Sequence, residues 1–405
     1  MIKKLFHQIN DPLYKSSLYL MLSSITAAGF GFIFWIIAAR LYPPEDVGIA
    51  TALISSVSLL VLLSRLGFDQ SIIRFFPERN KNKVFSTSLI ITTVFVILLG
   101  IIFILGIQIW SPNLAIITSI PIIYLIFLVF SSIFSLTGIA FVALRKAKFY
   151  FLQNLLNCSR IIFLFPLVFL GAIGIFSSVG ISVIITSLLP LYFLYRFKIR
   201  LSGIDVEYLK ESFNFSIGNY FSGFFLTAPN MILPIMVFNL LGAEKAAYYY
   251  ISYAITSLLF LIPAAFGMSL FVEGSHGESL KRISKKSIIA IFFILVPAVF
   301  FVFFFGDYLL MLLGKSYIQG FDLLRIMIFS SIFFSIVQMY ISIKKAQKDI
   351  QKLIIVSGLN FILILGLSYG WLLSYGLVGM GYAWIIAYGL TTIIIGGLIK
   401  LEKWI

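Results

Sequence analysis

The amino-acid sequence predicts an all-α integral membrane protein with about twelve transmembrane helices. Of its 405 residues, 61% are apolar and only 11% are charged, and the mean hydropathy is +1.08. A soluble domain is about half apolar and about a quarter charged, so no soluble fold could hide this much apolar surface from water. Twelve apolar segments are long enough to cross a bilayer core of about 30 Å as helices. The composition therefore excludes a soluble enzyme and a nucleic-acid-binding domain.

The predicted spans form two sets of six in chain order. The first six lie near 15–39, 47–75, 85–108, 115–143, 150–171 and 175–196. The last six lie near 212–238, 247–271, 285–306, 318–342, 352–372 and 376–399. The second span is longer than a bilayer core requires, so its last turns are expected to protrude from the membrane.

The distribution of positive charge predicts the orientation of the spans. The net charge is +15, and 24 of the 30 Lys and Arg residues fall in loops on the side of the N-terminus. Membrane proteins keep Lys and Arg in cytoplasmic loops. Both termini are therefore expected in the cytoplasm, with the chain spanning the plasma or inner membrane. The charge needs no nucleic-acid partner to explain it.

An internal repeat divides the chain. Residues 40–45, after the first span, resemble residues 239–244, after the seventh span, at an offset of 199 residues. Residues 144–147 and 343–346 match at the same offset. One offset at two sites predicts duplication of a six-helix unit in parallel orientation, and rocking of two such lobes around a cavity gives alternating access. The predicted lobes are an N-terminal lobe over 1–199 and a C-terminal lobe over 200–405.

Polar stripes identify the helix faces that avoid lipid. A lipid-facing surface is apolar, so polar side chains at helical spacing indicate the bundle interior or a cavity. Such stripes occur on spans 2, 5, 7, 8 and 11. For any single polar residue, helix–helix packing is the alternative interpretation. The candidate substrate-binding residues are Ser55, Ser58, Arg65, Gln153, Asn157, Arg160, Asn219, Tyr249 and Asn360.

Arginines within the spans suggest an anionic substrate. Arg160 lies about ten residues into its span, roughly 15 Å deep at 1.5 Å per residue. It is either structural, bonded to helix-end carbonyls or a distant Asp, or an anion-binding group whose planar fork suits phosphate oxygens. Arg65 has Asp69 one turn away. That pair either neutralises itself or supplies a cavity cation and a candidate ion-coupling carboxylate, Asp69.

Two motifs resemble a known family. Residues 39–48, Ala-Arg-Leu-Tyr-Pro-Pro-Glu-Asp-Val-Gly, are similar to the A-R-x-L-G-P-E-x-[FY]-G signature of Wzx-type polysaccharide and oligosaccharide flippases. These belong to the multidrug/oligosaccharidyl-lipid/polysaccharide exporter (MOP) superfamily. Residues 66–77, Leu-Gly-Phe-Asp-Gln-Ser-Ile-Ile-Arg-Phe-Phe-Pro, are similar to the family segment L-G-[LF]-x-x-[AS]-x-x-R-[FY]. Tyr42-Pro43 departs from the Leu-Gly that is common in the family, and many relatives have fourteen helices.

The resemblance implies a MATE-like fold and a flippase. Its cargo would be a lipid-pyrophosphate-linked oligosaccharide, such as an O-antigen or capsule precursor, carried on a polyprenyl tail. The resemblance implies no catalytic residue, metal or cofactor. The expected partners are this glycan carrier, membrane lipids and glycan polymerase or assembly proteins, with no nucleic acid.

Three alternatives remain at the level of the sequence. A drug or metabolite exporter of the same superfamily would be marked by a deep essential carboxylate, for which Asp69 is the candidate. A membrane enzyme that polymerises or ligates glycans would need a sizeable outer loop with acid–base residues, whereas the outer loops are short. A scaffold without transport would not need polar stripes inside the bundle. The two histidines, His7 and His276, are expected in solvated loops.

Overall fold

The computed structural model describes the backbone of residues 12–275 and 279–401, and every regular element in those ranges is helical. His7 and His276 lie outside the described residues, as do both ends of the chain. The first elements are α1 (Pro12–Leu41), α2 (Pro44–Ser64), α3 (Phe68–Phe75), α4 (Lys81–Leu105), α5 (Ile107–Trp110), α6 (Pro121–Ala143), α7 (Ala147–Asn157), α8 (Arg160–Leu164) and α9 (Ala172–Arg196).

The later elements are α10 (Val206–Thr227), α11 (Pro229–Leu241), α12 (Ala243–Ser275), α13 (Leu280–Leu313), α14 (Phe321–Ala346), α15 (Ile350–Tyr375) and α16 (Leu377–Leu401). Short 3-10 helices cover Pro112–Ser119, Val168–Leu170 and Lys315–Gly320. The helix starts repeat the 199-residue offset found in the sequence, since α2 and α12 begin at Pro44 and Ala243, and α4 and α13 begin at Lys81 and Leu280.

Ten of the described helices are long and apolar enough to cross a membrane. An eleventh span arises if Phe215–Thr227 and Pro229–Leu241, which meet at an angle of 43°, form one bent segment. Pro229 lies at this bend, where a proline cannot donate the backbone hydrogen bond that a continuous helix needs. The predicted all-α membrane fold is confirmed.

The prediction of one continuous helix over residues 150–171 is wrong. Helix α7 ends at Asn157, α8 covers only five residues, and Val168–Leu170 is a single 3-10 turn. Pro166 explains the second break, because its ring clashes with the preceding turn and it lacks an N–H. The carbonyl of Leu164, just before it, accepts a hydrogen bond of 2.8 Å from the Tyr42 hydroxyl. This segment and the bent pair at Pro229 together account for the difference between ten continuous spans and the predicted twelve.

The second predicted span, 47–75, is also two helices rather than one. Helix α2 ends at Ser64, and Leu66 and Gly67 then adopt left-handed backbone angles, with φ of 48° and 85°. A Cβ at Gly67 would lie 2.5 Å from the Cβ of Ser216, so this close approach also requires glycine. The turns expected to protrude therefore form a separate amphipathic helix, α3.

The chain divides into two compact units. Unit 1 comprises Met1–Tyr42 and Ser56–Tyr220, and unit 2 comprises Pro43–Ser55 and Phe221–Ile405. The boundary predicted between lobes at 199 and 200 stays a prediction.

Each unit has an aromatic core of its own. In unit 1, α3 buries its apolar face against α4, α6 and the start of α10, where the Tyr208 hydroxyl and the Ser88 hydroxyl lie 2.8 Å apart. In unit 2, the Trp384 ring stacks on Phe260 with ring centres 5.7 Å apart, and Tyr253 and Tyr388 pack beside it.

Candidate functional site

The candidate residues fall in both units, and each unit holds its own group. Unit 1 contains Ser58, Arg65, Asp69, Gln153, Asn157, Arg160 and Asn219. Unit 2 contains Ser55, Tyr249 and Asn360. Two local groups form around the arginines of unit 1.

Arg160 lies at the break in the fifth membrane segment. It is the first residue of α8 and is half-buried. Its guanidinium carbon lies 5.0 Å from the centre of the Phe34 ring on α1, within the range of a cation–π contact. Gly31 lies one turn earlier on α1, and a Cβ there would be 3.3 Å from Nη2 of Arg160. The missing side chain of Gly31 therefore leaves room for the guanidinium, and the Phe34 ring contacts it.

Asn157 and Gln153 join the fifth segment to its neighbours. Both the side-chain and backbone oxygens of Asn157 accept from the Ser182 hydroxyl on α9, at 3.0 and 2.9 Å. Gln153 is 2% exposed, and its Nε2 donates to the Phe134 carbonyl at 2.8 Å and to the Thr137 hydroxyl at 3.0 Å on α6. Such bonds between helices are a known packing device in membranes. The Gln153 Oε1 is buried and accepts no hydrogen bond among the described residues.

Arg65 lies in the turn between α2 and α3, beside Asp69. Two further polar groups act on its charge, the hydroxyls of Tyr150 and Tyr220. The Tyr220 hydroxyl donates to the carbonyl of Leu63 at 3.1 Å, which holds its ring against this turn. The Nε of Arg65 is buried and has no hydrogen-bond partner in the part of the chain that the structure describes. Asp69 and the two tyrosines thus influence the charge of Arg65, but no ion pair between Arg65 and Asp69 forms among the described residues.

The remaining candidates of unit 1, Ser58 on α2 and Asn219 on α10, are both half-buried. Asn219 directly precedes Tyr220, so this part of α10 lies near the Arg65 group. Their predicted roles in substrate binding stay predictions.

In unit 2 the candidates are interior side chains. Tyr249 is fully buried and stacks on Tyr253, with ring centres 6.2 Å apart. Asn360 Oδ1 accepts from the Thr391 hydroxyl at 3.2 Å, which ties α15 to α16. Ser55, near the end of the α2 part of unit 2, is also buried. Contact of these three with substrate stays a prediction.

Several residues that shape these groups were not predicted from the sequence. Phe34 and Gly31 surround Arg160, and Tyr150 and Tyr220 surround Arg65. Their partners lie far away along the chain, so spacing alone could not identify them. The sequence did contain a signal for the irregular backbone near Arg160. This signal is Pro166, because a proline inside an apolar segment indicates a break in the helix. Among the described residues, no three His, Cys, Asp or Glu side chains come together as metal ligands.

Solved structures share this fold along nearly the whole chain. An inward-facing multidrug resistance MATE family transporter of the MOP superfamily matches with a TM-score of 0.73 and 16% identity, over 96% of this chain and 98% of that chain. The lipid II flippase MurJ, in an inward closed conformation, matches with a TM-score of 0.75 and 14% identity, over 95% of this chain and 87% of that chain. At these identities the likeness concerns the fold, and it confirms the predicted MATE-like fold.

Sequence comparison gives two further findings. A family model described as polysaccharide biosynthesis protein matches residues 13–272. A candidate O-antigen transporter of Shigella flexneri is 27% identical over 162 residues, and the alignment spans 37% of this chain and 37% of that relative.

Proposed function

We propose that this chain, which belongs to the polysaccharide biosynthesis protein family, translocates a lipid-pyrophosphate-linked oligosaccharide across the cytoplasmic membrane. Both motifs, at 39–48 and 66–77, lie within the residues that match the family model, which confirms the resemblance drawn from them. An O-antigen transporter and a lipid II flippase among the similar proteins support this class of cargo.

The observation that carries the proposal is the placement of Arg160. A guanidinium inside a membrane segment costs at least about 2.5 kcal/mol on insertion scales, so such a residue is retained for a purpose. The helix changes to 3-10-type hydrogen bonds at this point, from the Ile161 N–H to the Cys158 carbonyl and from the Ile162 N–H to the Ser159 carbonyl, and a glycine lies opposite the side chain. The planar fork can bind two phosphate oxygens at once. We assign Arg160 to the pyrophosphate of the cargo, with Arg65 as a second cation.

Polar groups near these arginines are suited to sugar hydroxyls. The buried Gln153 Oε1 offers an open acceptor, and Asn219 precedes Tyr220, whose hydroxyl acts on the charge of Arg65. Asn157, Ser55, Ser58, Tyr249 and Asn360 complete the set that we propose for the glycan. Asp69 is our candidate for coupling to an ion, because its charge acts on Arg65.

The transport cycle that we propose is alternating access between two six-helix lobes, 1–199 and 200–405. We also propose that both termini lie in the cytoplasm, and the charge bias in the loops supports this orientation. We further propose that the chain catalyses no bond-making step and that its partners are the glycan carrier, membrane lipids and glycan-assembly proteins.

A transport assay with a matched pair of arginine variants tests the proposal. Vesicles containing the protein are loaded with a fluorescent lipid-pyrophosphate-linked oligosaccharide, and a glycosidase that cannot cross the membrane reports sugars that reach the outside. We expect Arg160→Gln to slow transport at least about tenfold, because a hydrogen bond to a charged group contributes about 1.5–3 kcal/mol.

Arg325→Gln is the control. Arg325 also lies against an aromatic ring in a membrane helix, with its guanidinium carbon 4.3 Å from the Phe303 ring centre, but in unit 2. The Arg325→Gln variant should retain most of the wild-type transport rate. Wild-type rates in Arg160→Gln would contradict the role of Arg160. Export of a lipophilic cation by a wild-type protein that does not move the oligosaccharide would favour a drug exporter.

A further inference from the structure

One end of unit 1 carries a dense group of exposed positive charges. They lie at the start of α4, in the turn between α6 and α7, and in the segment that follows α9. We call this group the basic surface, and it consists of Lys81, Lys83, Arg145, Lys146, Lys148, Arg196, Lys198 and Arg200.

Aromatic packing brings the three segments together. The Phe149 ring lies 4.9 Å from the Phe193 ring and 5.0 Å from the Phe197 ring, so the start of α7 is fixed against the end of α9. The backbone N–H of Arg200 donates to the Asn82 side chain at 3.0 Å, which adds the start of α4. The eight charges therefore form one surface of a packed structure rather than a set of separate loops.

Aromatic rings also lie beneath the charges. Lys146 Nζ is 5.4 Å from the centre of the Phe197 ring, and the guanidinium carbon of Arg200 is 5.6 Å from that of Tyr195. The Tyr195 and Tyr192 side chains are themselves more than half exposed. Tyr and Trp rings favour the level of the lipid headgroups, with cations above them.

The backbone places two of these cations at positions that normally favour glycine. Arg145 and Lys198 have φ of 57° and 64°. Each follows a helix whose end is closed by a hydrogen bond across six residues, Lys146 N–H to the Phe141 carbonyl and Ile199 N–H to the Leu194 carbonyl. Glycine adopts this left-handed conformation at much lower cost. Two cations of the basic surface therefore occupy strained positions at helix ends.

The carboxylates at this end of unit 1 do not neutralise the basic surface. Glu211 and Glu207 pair with Arg79 at 2.6 and 3.4 Å, and Glu78 pairs with Arg74 at 3.0 Å. Within the described residues, none of the eight cations forms an ion pair with a carboxylate.

We propose that the basic surface binds the headgroups of anionic phospholipids in the cytoplasmic leaflet. Clusters of Lys and Arg next to membrane helices attract such lipids electrostatically. The aromatic rings at its base match the interfacial depth at which headgroup phosphates lie. The inference rests on the inward orientation proposed above and is independent of the cargo.

Lipid titration followed by native mass spectrometry tests this inference. The full-length protein is titrated with phosphatidylglycerol or with phosphatidylcholine, and bound lipids are counted. We expect the triple variant Arg145→Gln, Arg196→Gln, Lys198→Gln to bind phosphatidylglycerol at least about tenfold more weakly, because each cation near an anionic surface contributes a several-fold factor. Binding of phosphatidylcholine should not change.

The matched control removes the same charge from the opposite side of the membrane. Arg40→Gln, Lys245→Gln, Lys315→Gln neutralises three exposed cations that the proposed orientation assigns to the outer side, and it should change phosphatidylglycerol binding by no more than about twofold. Equal weakening in both triple variants would overturn the inference, because it would reflect net charge alone. Equal loss of phosphatidylcholine would also overturn it.

A crosslinking measurement on the wild-type protein covers the case in which the triple variant does not fold. A photoreactive phosphatidylglycerol should label residues 141–149 and 193–200 more strongly than residues 280–290. Even labelling of these segments would overturn the inference. Failure of oligosaccharide transport with preferential labelling would contradict the proposed cargo and leave the lipid site standing.

Discussion

The fifth and eleventh membrane segments hold the same place in the two sets of six, yet only one of them is continuous. The eleventh is α15, an unbroken helix of 26 residues, whereas the fifth is divided into α7, α8 and a 3-10 turn. Each is followed by a glycine in a similar unusual conformation, Gly171 with φ 55° and ψ −133° and Gly376 with φ 60° and ψ −144°. The ends of the repeat are therefore alike, and the difference lies inside the segment.

One polar contact is shared by the two segments. Asn157 and Asn360 each accept a hydrogen bond from a hydroxyl on the next long helix, Ser182 in unit 1 and Thr391 in unit 2. Three residues later the segments differ, with Arg160 in the fifth and Leu363 in the eleventh. The shared hydrogen bond is a contact that helix packing accounts for. The break and the arginine occur in the fifth segment only, so these features are the better markers of function.

Moving the arginine to the other segment gives the largest expected effect. Leu363→Arg places a guanidinium in a continuous helix with no break to receive it, and insertion scales put the cost at about 2.5–3.5 kcal/mol. We expect a strong loss of folded protein in the membrane, measured as monodisperse yield after extraction. Leu363→Met is the control. Normal yield of Leu363→Arg would show that the break is not needed to hold an arginine at this depth.

The same comparison shows what the sequence could predict. Hydropathy and length identified the membrane segments because the lipid core selects for apolar residues whatever their neighbours. Helix continuity is a different property. The apolar stretch around Pro166 satisfies a hydropathy test although α8 ends before it, and Leu66 and Gly67 end α2 within an equally apolar stretch.

The candidate site was predictable to a smaller extent. The depth of Arg160 follows from counting residues along the segment. Its contacts with Phe34 and Gly31 depend on how α1 packs, which no local pattern encodes. In the same way the pair of Arg65 and Asp69 follows from helical spacing, whereas Tyr220 reaches it from a distant helix.

Removing the shared asparagines gives a smaller effect that should be similar in both segments. A hydrogen bond between membrane helices contributes about 0.6 kcal/mol on average and at most about 1.7 kcal/mol. We expect Asn157→Ala and Asn360→Ala each to lower the free energy of unfolding by about 1 kcal/mol, measured by denaturation in detergent. Asn219→Ala, at a half-buried position of α10, serves as the control.

The two asparagine variants also separate packing from substrate binding. If Asn157 and Asn360 contact the cargo, as we propose, each alanine variant lowers transport more than its loss of stability explains. Unchanged stability in both variants would contradict the shared packing role.

The smallest expected effect concerns how the two segments begin. The residue before α15 is Asp349, whose side chain accepts from the Lys352 N–H at 3.2 Å, whereas Lys146 precedes α7 and provides no side-chain cap. Partial burial opposes ionisation of Asp349. This effect of burial is outweighed by hydrogen bonds from Lys352 and by the positive charges of Lys352 and Lys344. The pKa of Asp349 therefore lies below its ordinary value of 3.8.

A depressed pKa fixes the direction of the pH dependence. The Asp349 carboxylate stabilises the fold fully above pH 3.8, and this contribution is lost as the pH falls through the lower folded-state value. Loss of a helix N-cap costs at least about 0.5 kcal/mol, and we expect Asp349→Ala to lower the unfolding free energy by about that amount at neutral pH, because the cap is partly exposed. The difference in unfolding free energy between the wild type and Asp349→Ala should become smaller as the pH falls below 3.8. A constant difference across that range would show that Asp349 acts through its shape and not its charge. Lys146→Asp is the reciprocal change. It supplies the side-chain cap that α7 lacks, so it should stabilise the start of α7.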